Sequence, residues 1–435
     1  MKRRLLPILM TLVLVCALPI WAAFVTSGDV TNPLLTTAGA TSPPDTAAAR
    51  LKSAISNGGT VQLIEDIEIS ETLLVTRDVT LDLNGHVLKM TGNSSVLRVK
   101  KDGPDPVTLT ITDSRPQNPH TGSYGRLPAG GVITGGEGTN VTGIYYVGGA
   151  VFLENDTTLK LEGGTITENS SSGGSVFISG EKAVFEMSGG TITGETVGVR
   201  NNVGTFTMTG GRITGCSYRG VYVYNGNMTM SGTAYIGGNP GAREDIYVRE
   251  PVHKHTDLSV TGGTVEGNVR IEFGANLGMT QESLKPVANS VVKEGGVFEG
   301  HIQVRIDNTE GTSVDYNTVN FIDEVAKTRT LQLVLADKKA TRPTDPATVN
   351  GQTFMYWAKE GTSEEWDFVA EIKEAITLYA VRTPASSGGY YYYPTTDTKA
   401  DDAKGSPKTA DPGVALYAAL SILSLTGLTC TAKKR

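Results

Sequence analysis

Cysteine is scarce in this chain, with three among 435 residues, at Cys16, Cys216 and Cys430. The first and last lie in apolar runs at the two ends, so processing of both ends leaves Cys216 alone. No internal disulfide can then form, and stability has to come from packing. Basic charge is not in excess either. A net charge of -7 and a pI near 5.4 argue against nucleic acid as a partner. Histidine numbers five, and the one cluster, His253-Lys254-His255, has no Cys or acidic residue at useful spacing. Lys254 repels a cation, so the cluster reads as a solvated turn, and no metal or cofactor is expected. What is abundant is glycine, with 52 residues.

The two apolar runs each sit beside basic residues. Lys2, Arg3 and Arg4 precede an apolar stretch from Leu5 to Ala23, the order of a secretory signal, assigned to residues 1–23. Cys16 follows Val15 inside that run, which does not suit lipidation. At the other end Ser406-Pro407-Lys408-Thr409-Ala410 is followed by an apolar run from Val414 to about Cys430 and by Lys433, Lys434 and Arg435. A run of roughly 17 residues can just cross a bilayer, with the basic tail held on the cytoplasmic side. Residues 406–435 resemble the sorting signal of the LPxTG family, with Ser406 in place of Leu and Ala410 in place of Gly. That resemblance implies an exported protein of a Gram-positive bacterium, fixed to the cell wall, with sortase and peptidoglycan as partners and the membrane met only transiently. In the family a sortase thiolate attacks the carbonyl of the motif threonine, so the bond cut would be Thr409 to Ala410. The other reading is a plain membrane anchor with an incidental Pro-Lys-Thr.

Internal repeats account for the glycine. Leu159 to Ile166, Phe185 to Ile192 and Phe206 to Ile213 share the template apolar, polar, apolar, polar, Gly, Gly, polar, apolar. Degenerate copies follow at Met228, Met230, Gly232 and Tyr235, and at Leu258, Val260, Gly262, Gly263 and Val265. The first glycines are 26, 21, 22 and 30 residues apart. Alternation with period two marks each arm as a half-buried strand, and paired glycine permits a tight corner between arms. About 21 residues with three short strands is one coil of a parallel β-helix, and the longer spacings are loop insertions.

A further strand precedes each copy. Val151-Phe152-Leu153, Val176-Phe177-Ile178, Val197-Gly198-Val199, Val221-Tyr222-Val223, Ile246-Tyr247-Val248 and Val269-Arg270-Ile271 all carry aliphatic flanks, which must point inward. The middle column then points to solvent, with Phe152, Phe177, Gly198, Tyr222, Tyr247 and Arg270 about 4.8 Å apart from coil to coil. Upstream, Gly58 to Leu63 and Val79 to His86 resemble the opening coils of pectate-lyase-like β-helices, and the resemblance spans residues 44–308. It implies an all-β, right-handed parallel β-helix solenoid. Asp45 to Ile55 reads as an amphipathic N-terminal helical cap over the open end, with Asp45 as its candidate N-cap. Residues 24–43 read as a linker.

Beyond Thr309 the Gly-Gly pattern stops. Trp357, Trp366-Asp367-Phe368 and Thr377-Leu378-Tyr379-Ala380 resemble the internalin B-repeat, a small β-rich module, over residues 317–382, with Arg382 where that family usually has Trp. Large aromatics in so small a module are first needed as core. Residues 383–405, rich in Ser, Gly, Thr, Asp and Pro and including Tyr390 to Tyr393, have no apolar periodicity and read as a disordered spacer.

Pectate-lyase-like folds often host lyases and glycosidases, which need paired carboxylates, or acidic metal ligands with a base. Here Glu168 lines up with Gly194 and Gly215, while Asp156, Glu181 and Glu195 fall at other phases. No catalytic residue is assigned, although loops between Asp113 and Asn140 could assemble a site. The affirmative feature is the ladder Phe152, Phe177, Tyr222 and Tyr247. Its rings either stack on one another for stability, by about 0.2 to 1 kcal/mol per pair, or form a platform for a glycan or host protein. The expectation is a non-catalytic, adhesin-like surface protein. A surface polysaccharide lyase or glycoside hydrolase is the alternative.

Overall fold

A computed structural model describes residues 31–33, 46–140, 146–239, 243–250, 258–274, 296–307 and 313–384. Contacts divide the chain into Met1–Ala385 and Ser386–Arg435, and all described residues belong to the first unit. Asp45, His253-Lys254-His255, the Tyr390 to Tyr393 run, the two apolar end segments and Ser406 to Ala410 lie outside the described residues. No helix among the described residues is long and apolar enough to cross a membrane.

The described chain is mostly β, wound as stacked coils whose strands form three parallel sheets. Each coil contributes one strand to each sheet in turn, as Thr157–Leu161, Thr165–Thr167 and Val176–Ile178 do. Alternation decides which side chains enter the core. In the first sheet Leu109, Leu159, Phe185, Phe206, Met228 and Leu258 fall in one register column, all buried. In the second, Ile133, Ile166, Ile192, Ile213, Ile236, Val265 and Phe298 do the same. Like sits on like, so the core is an unbroken apolar column, with the Phe185 and Phe206 rings stacked 4.8 Å apart.

The Gly-Gly corners join the first sheet to the second, and the two glycines have different duties. Gly211 takes φ +78, a left-handed conformation that side chains resist, while a Cβ on Gly210 would lie 2.3 Å from the carbonyl oxygen of Ser188 in the preceding coil. One glycine turns the chain and the other lets coils approach.

The stack is closed at its N-terminal end by the helix Ala47–Asn57, which buries Leu51, Ala54 and Ile55. Thr46, rather than the expected Asp45, is its N-cap, its hydroxyl accepting from the Ala49 N–H at 3.1 Å. Thr31–Pro33, in the segment read as linker, pairs in parallel with Thr60 to Gln62.

The C-terminal end is closed differently. The last coil strand, His301–Asp307, pairs antiparallel with the long strand Ser313–Asp323. The first half of Ser313–Asp323 carries Val314 and Tyr316 in the solenoid core, with Leu331, Leu333 and Leu335 of its hairpin partner packed against it. Its second half pairs in parallel with Ile376–Arg382 and puts Val319 and Phe321 in a separate core with Trp357, Ile372 and Leu378. The change of composition near Thr309 therefore marks a change of pairing within one continuous sheet. Trp357 is core, 4% exposed and edge-on to Phe321 at 5.1 Å, and Trp366 packs against the same cluster.

Candidate functional site

The outward face of the third sheet carries the expected aromatic column, with one register correction. Phe152 opposes Phe177 and Tyr222 opposes Tyr247, but the residue between the pairs is Arg200 and not Gly198. The strand Val197–Asn201 turns Val199 and Asn201 inward, aligned on Val176 and Ile178, while Val197 stands in register with Arg219. Asn201 is fully buried, its amide donating to the Gly204 carbonyl at 2.9 Å and the Asn227 carbonyl at 2.8 Å, and its oxygen accepting from Gly204 N–H. A polar residue on the inward face hid the true triplet. The spacing held the clue, since ten residues separate Arg200 from Gly210 just as ten separate Tyr222 from Gly232.

Arg98 precedes Phe152 in the same column and Arg270 follows Tyr247, so cations and rings interleave. The Arg98 guanidinium lies 5.2 Å from the Phe152 ring centre, and Arg200 lies 5.8 Å from Phe177 and 4.9 Å from Tyr222. Arg219 sits 3.7 Å over Tyr247. The Phe152–Phe177 and Tyr222–Tyr247 centroids are 5.5 Å and 5.0 Å apart. Such contacts favour a cation over a ring face.

The column expected to face solvent is largely covered. Phe152 and Phe177 are each 4% exposed and form a small cluster with Val147, which belongs to the hairpin pairing Thr139–Asn140 with Tyr146–Val147. Tyr247 is 6% exposed, beneath Arg219 and with its hydroxyl bonded to Glu272. Burial, then that bond, push its phenol pKa up. Tyr222 is half-buried, and burial raises its pKa too. The rings thus stack on each other and under guanidinium groups, and the coil insertion after Thr134 folds back over the first pair.

Toward the C-terminal end the face becomes ionic. Glu244 accepts from Arg219 at 3.0 Å and lies 3.5 Å from Arg270, while Glu272 pairs with Arg270 and lies 4.0 Å from Arg305. Both carboxylates are buried, so they hold guanidinium groups in place rather than present negative charge. Beside this network a cleft of about 330 Å³ opens between the last coils and the strand Ser313–Asp323, lined among others by Arg243, Arg270, His301, Gln303, Asp315 and Lys373. None of Arg98, Arg200, Arg219, Arg243 or Arg305 was expected at the site; no apolar pattern points to them, and only the ladder register brings them together.

No family model, curated protein or solved structure matches the chain.

Glu168, Asp156 and Asp113 are each engaged with cations or backbone. Glu168, next to Thr167 and so level with Gly194, is paired with Arg126 at 2.5 Å. Asp156 lies 3.7 Å from both Lys101 and Lys182. Asp113 accepts from the N–H groups of Gly85 at 2.7 Å and Gly131 at 2.6 Å, and so pins the loop that follows it. No metal-ligating group of three or more side chains occurs among the described residues.

Proposed function

We propose that this chain is a non-catalytic, adhesin-like protein displayed on a Gram-positive cell wall, and that the third-sheet face of its solenoid binds a glycan. In this reading the coils wind as a right-handed, pectate-lyase-like β-helix, the C-terminal module is of internalin B-repeat type, and residues 383–405 are the spacer. The observation that carries the binding role is the column of guanidinium groups and rings running along one face into an open polar cleft. Guanidinium groups offer fixed, forked donors to sugar oxygens, and a rigid solenoid holds them without ordering cost on binding.

A glycan array probed with the full-length chain tests the face. Tyr222→Ala removes the ring that Arg200 and Tyr247 lean on, and a ring contact of about 0.5–1.5 kcal/mol sets the expected loss at about two- to tenfold. Unchanged affinity in that variant would remove the column from the binding site. Release of reducing ends or uronates from any bound glycan would reverse the non-catalytic part of the reading.

Anchoring has its own test. Thr409→Ala is expected to leave the protein extractable from purified wall by detergent, whereas the unaltered chain stays with the wall. Equal retention of both forms would rule out sorting at Thr409, and extraction of both would leave only a membrane anchor.

A further inference from the structure

We infer that the ligand of this face is an anionic glycan, a linear chain bearing carboxylate or sulfate groups, with one charged sugar seated in the cleft lined by Arg243 and Lys373. This rests on the glycan reading above and names its chemical class. Three observations point to it.

The first is charge. The whole chain is acidic at -7, yet this face gathers Arg219, Arg243, Arg249, Arg270 and Arg305 around the carboxylates of Glu244, Glu272 and Asp315, with Arg200 further along the column. Positive charge is concentrated here against the sign of the molecule, which attracts and orients an anionic chain.

The second is how the rings are used. A neutral sugar stacks on an open aromatic face, but the Tyr247 ring is capped by Arg219 at 3.7 Å, and Arg200 lies 4.9 Å from Tyr222. A ligand approaching the column therefore finds the Tyr247 face closed by a buried Arg219 and meets the part-exposed guanidinium groups of Arg200 and Arg270. Those groups pair best with planar carboxylates and with sulfates, which can take two parallel N–H bonds.

The third is the cleft. Its volume of about 330 Å³ is at the small end of ligand sites, about 300–1,000 Å³, and suits a single charged sugar with its neighbours lying outside. Arg243 and Lys373 are exposed at its rim, and Arg270 and Gln303 carry the column into it.

The purified full-length chain is applied to immobilised heparin, polygalacturonate, dextran and duplex DNA, at low and high salt. Heparin supplies sulfate and polygalacturonate supplies carboxylate alone, so the stronger of the two identifies the anionic group. Either is expected to bind about tenfold or more tighter than dextran or DNA, and to weaken as salt screens the face. Arg243→Ala with Lys373→Ala, both exposed and outside the packed core, should lose about tenfold on the anionic glycans, with Arg243→Lys, which keeps the charge without the fork, losing less than Arg243→Ala. Dextran bound as tightly as the anionic chains, or a double variant that binds them unchanged, overturns the inference and leaves the glycan reading standing. DNA bound as well as the glycans overturns it as adsorption of any polyanion. Absence of binding to every glycan, on these surfaces and on the array, removes the glycan reading and this inference with it.

Discussion

Arg382→Ala is expected to destabilise the C-terminal module by about 3–5 kcal/mol, the cost of breaking one side of a buried ion pair. The Arg382 and Asp323 side chains are 2% and 1% exposed, and the guanidinium engages both carboxylate oxygens, with Nη2 to Oδ2 at 2.5 Å and Nε to Oδ1 at 3.1 Å. Its remaining N–H groups donate to the carbonyls of Gln352 at 2.8 Å and Ala347 at 2.9 Å. One side chain thus ties the closing strand Ile376–Arg382 to the shared strand Ser313–Asp323 and to the loop before Phe354. Removing it leaves Asp323 buried, with only the N–H groups of Val325 and Ala326 to stabilise its charge. Burial alone would raise the Asp323 pKa, but Arg382 and those N–H groups hold it below the ordinary value. The pair therefore contributes stability above the unfolded carboxyl pKa and loses it as pH falls through the folded one. Trp357 and Trp366 both lie in the module, so urea unfolding followed by tryptophan fluorescence reads it directly. A loss below about 1 kcal/mol, within the range of exposed pairs, would show that the pair is not holding the module.

Glu195→Gln should make the protein more stable at pH 8, by about 3 kcal/mol relative to any change seen at pH 4. Glu195 is 1% exposed at the corner between the second and third sheets, and burial pushes its carboxyl up from 4.5 to about 7 against the bonds from Asn169. Its oxygens accept from the Asn169 N–H at 3.1 Å and the Asn169 amide at 3.0 Å. The folded state keeps a proton that the unfolded chain has given up, so this group's contribution is full below the unfolded pKa and falls as pH rises to about 7. Glutamine keeps the acceptor and never ionises. Parallel stability curves for the two proteins from pH 4 to pH 8 would rule out Glu195 as the titrating group.

Glu195 belongs to a corner column that the repeat template did not reveal. Asn169, Glu195, Cys216 and Asn239 follow one another there, and Asn239 accepts from the Cys216 N–H at 2.7 Å as Glu195 does from Asn169. Burial pushes the Cys216 thiol up to about 12, so the one cysteine of the described chain is packed and protonated at neutral pH. No period-two or Gly-Gly signal marks these positions. They differ in chemistry from coil to coil and share only a duty to the neighbouring backbone.

What the sequence determined by itself was the strand, corner, strand unit and its inward faces. Leu159, Phe185 and Phe206 alternate with polar residues, and Gly189 and Gly210 allow the close approach that follows, because side-chain parity and glycine freedom are local properties of the chain. The helical lid was legible for the same reason. Only the tertiary structure decided which residues meet across coils. Arg200 rather than Gly198 stands between Phe177 and Tyr222, Val147 covers two of the rings, and Arg219 covers a third. It also decided that Ser313–Asp323 serves both the solenoid and the module, and that Arg382 closes on Asp323. Pairing between strands distant in sequence depends on the whole stack: a buried Asn201 with its bonds satisfied can shift the apparent register, and no local pattern records it.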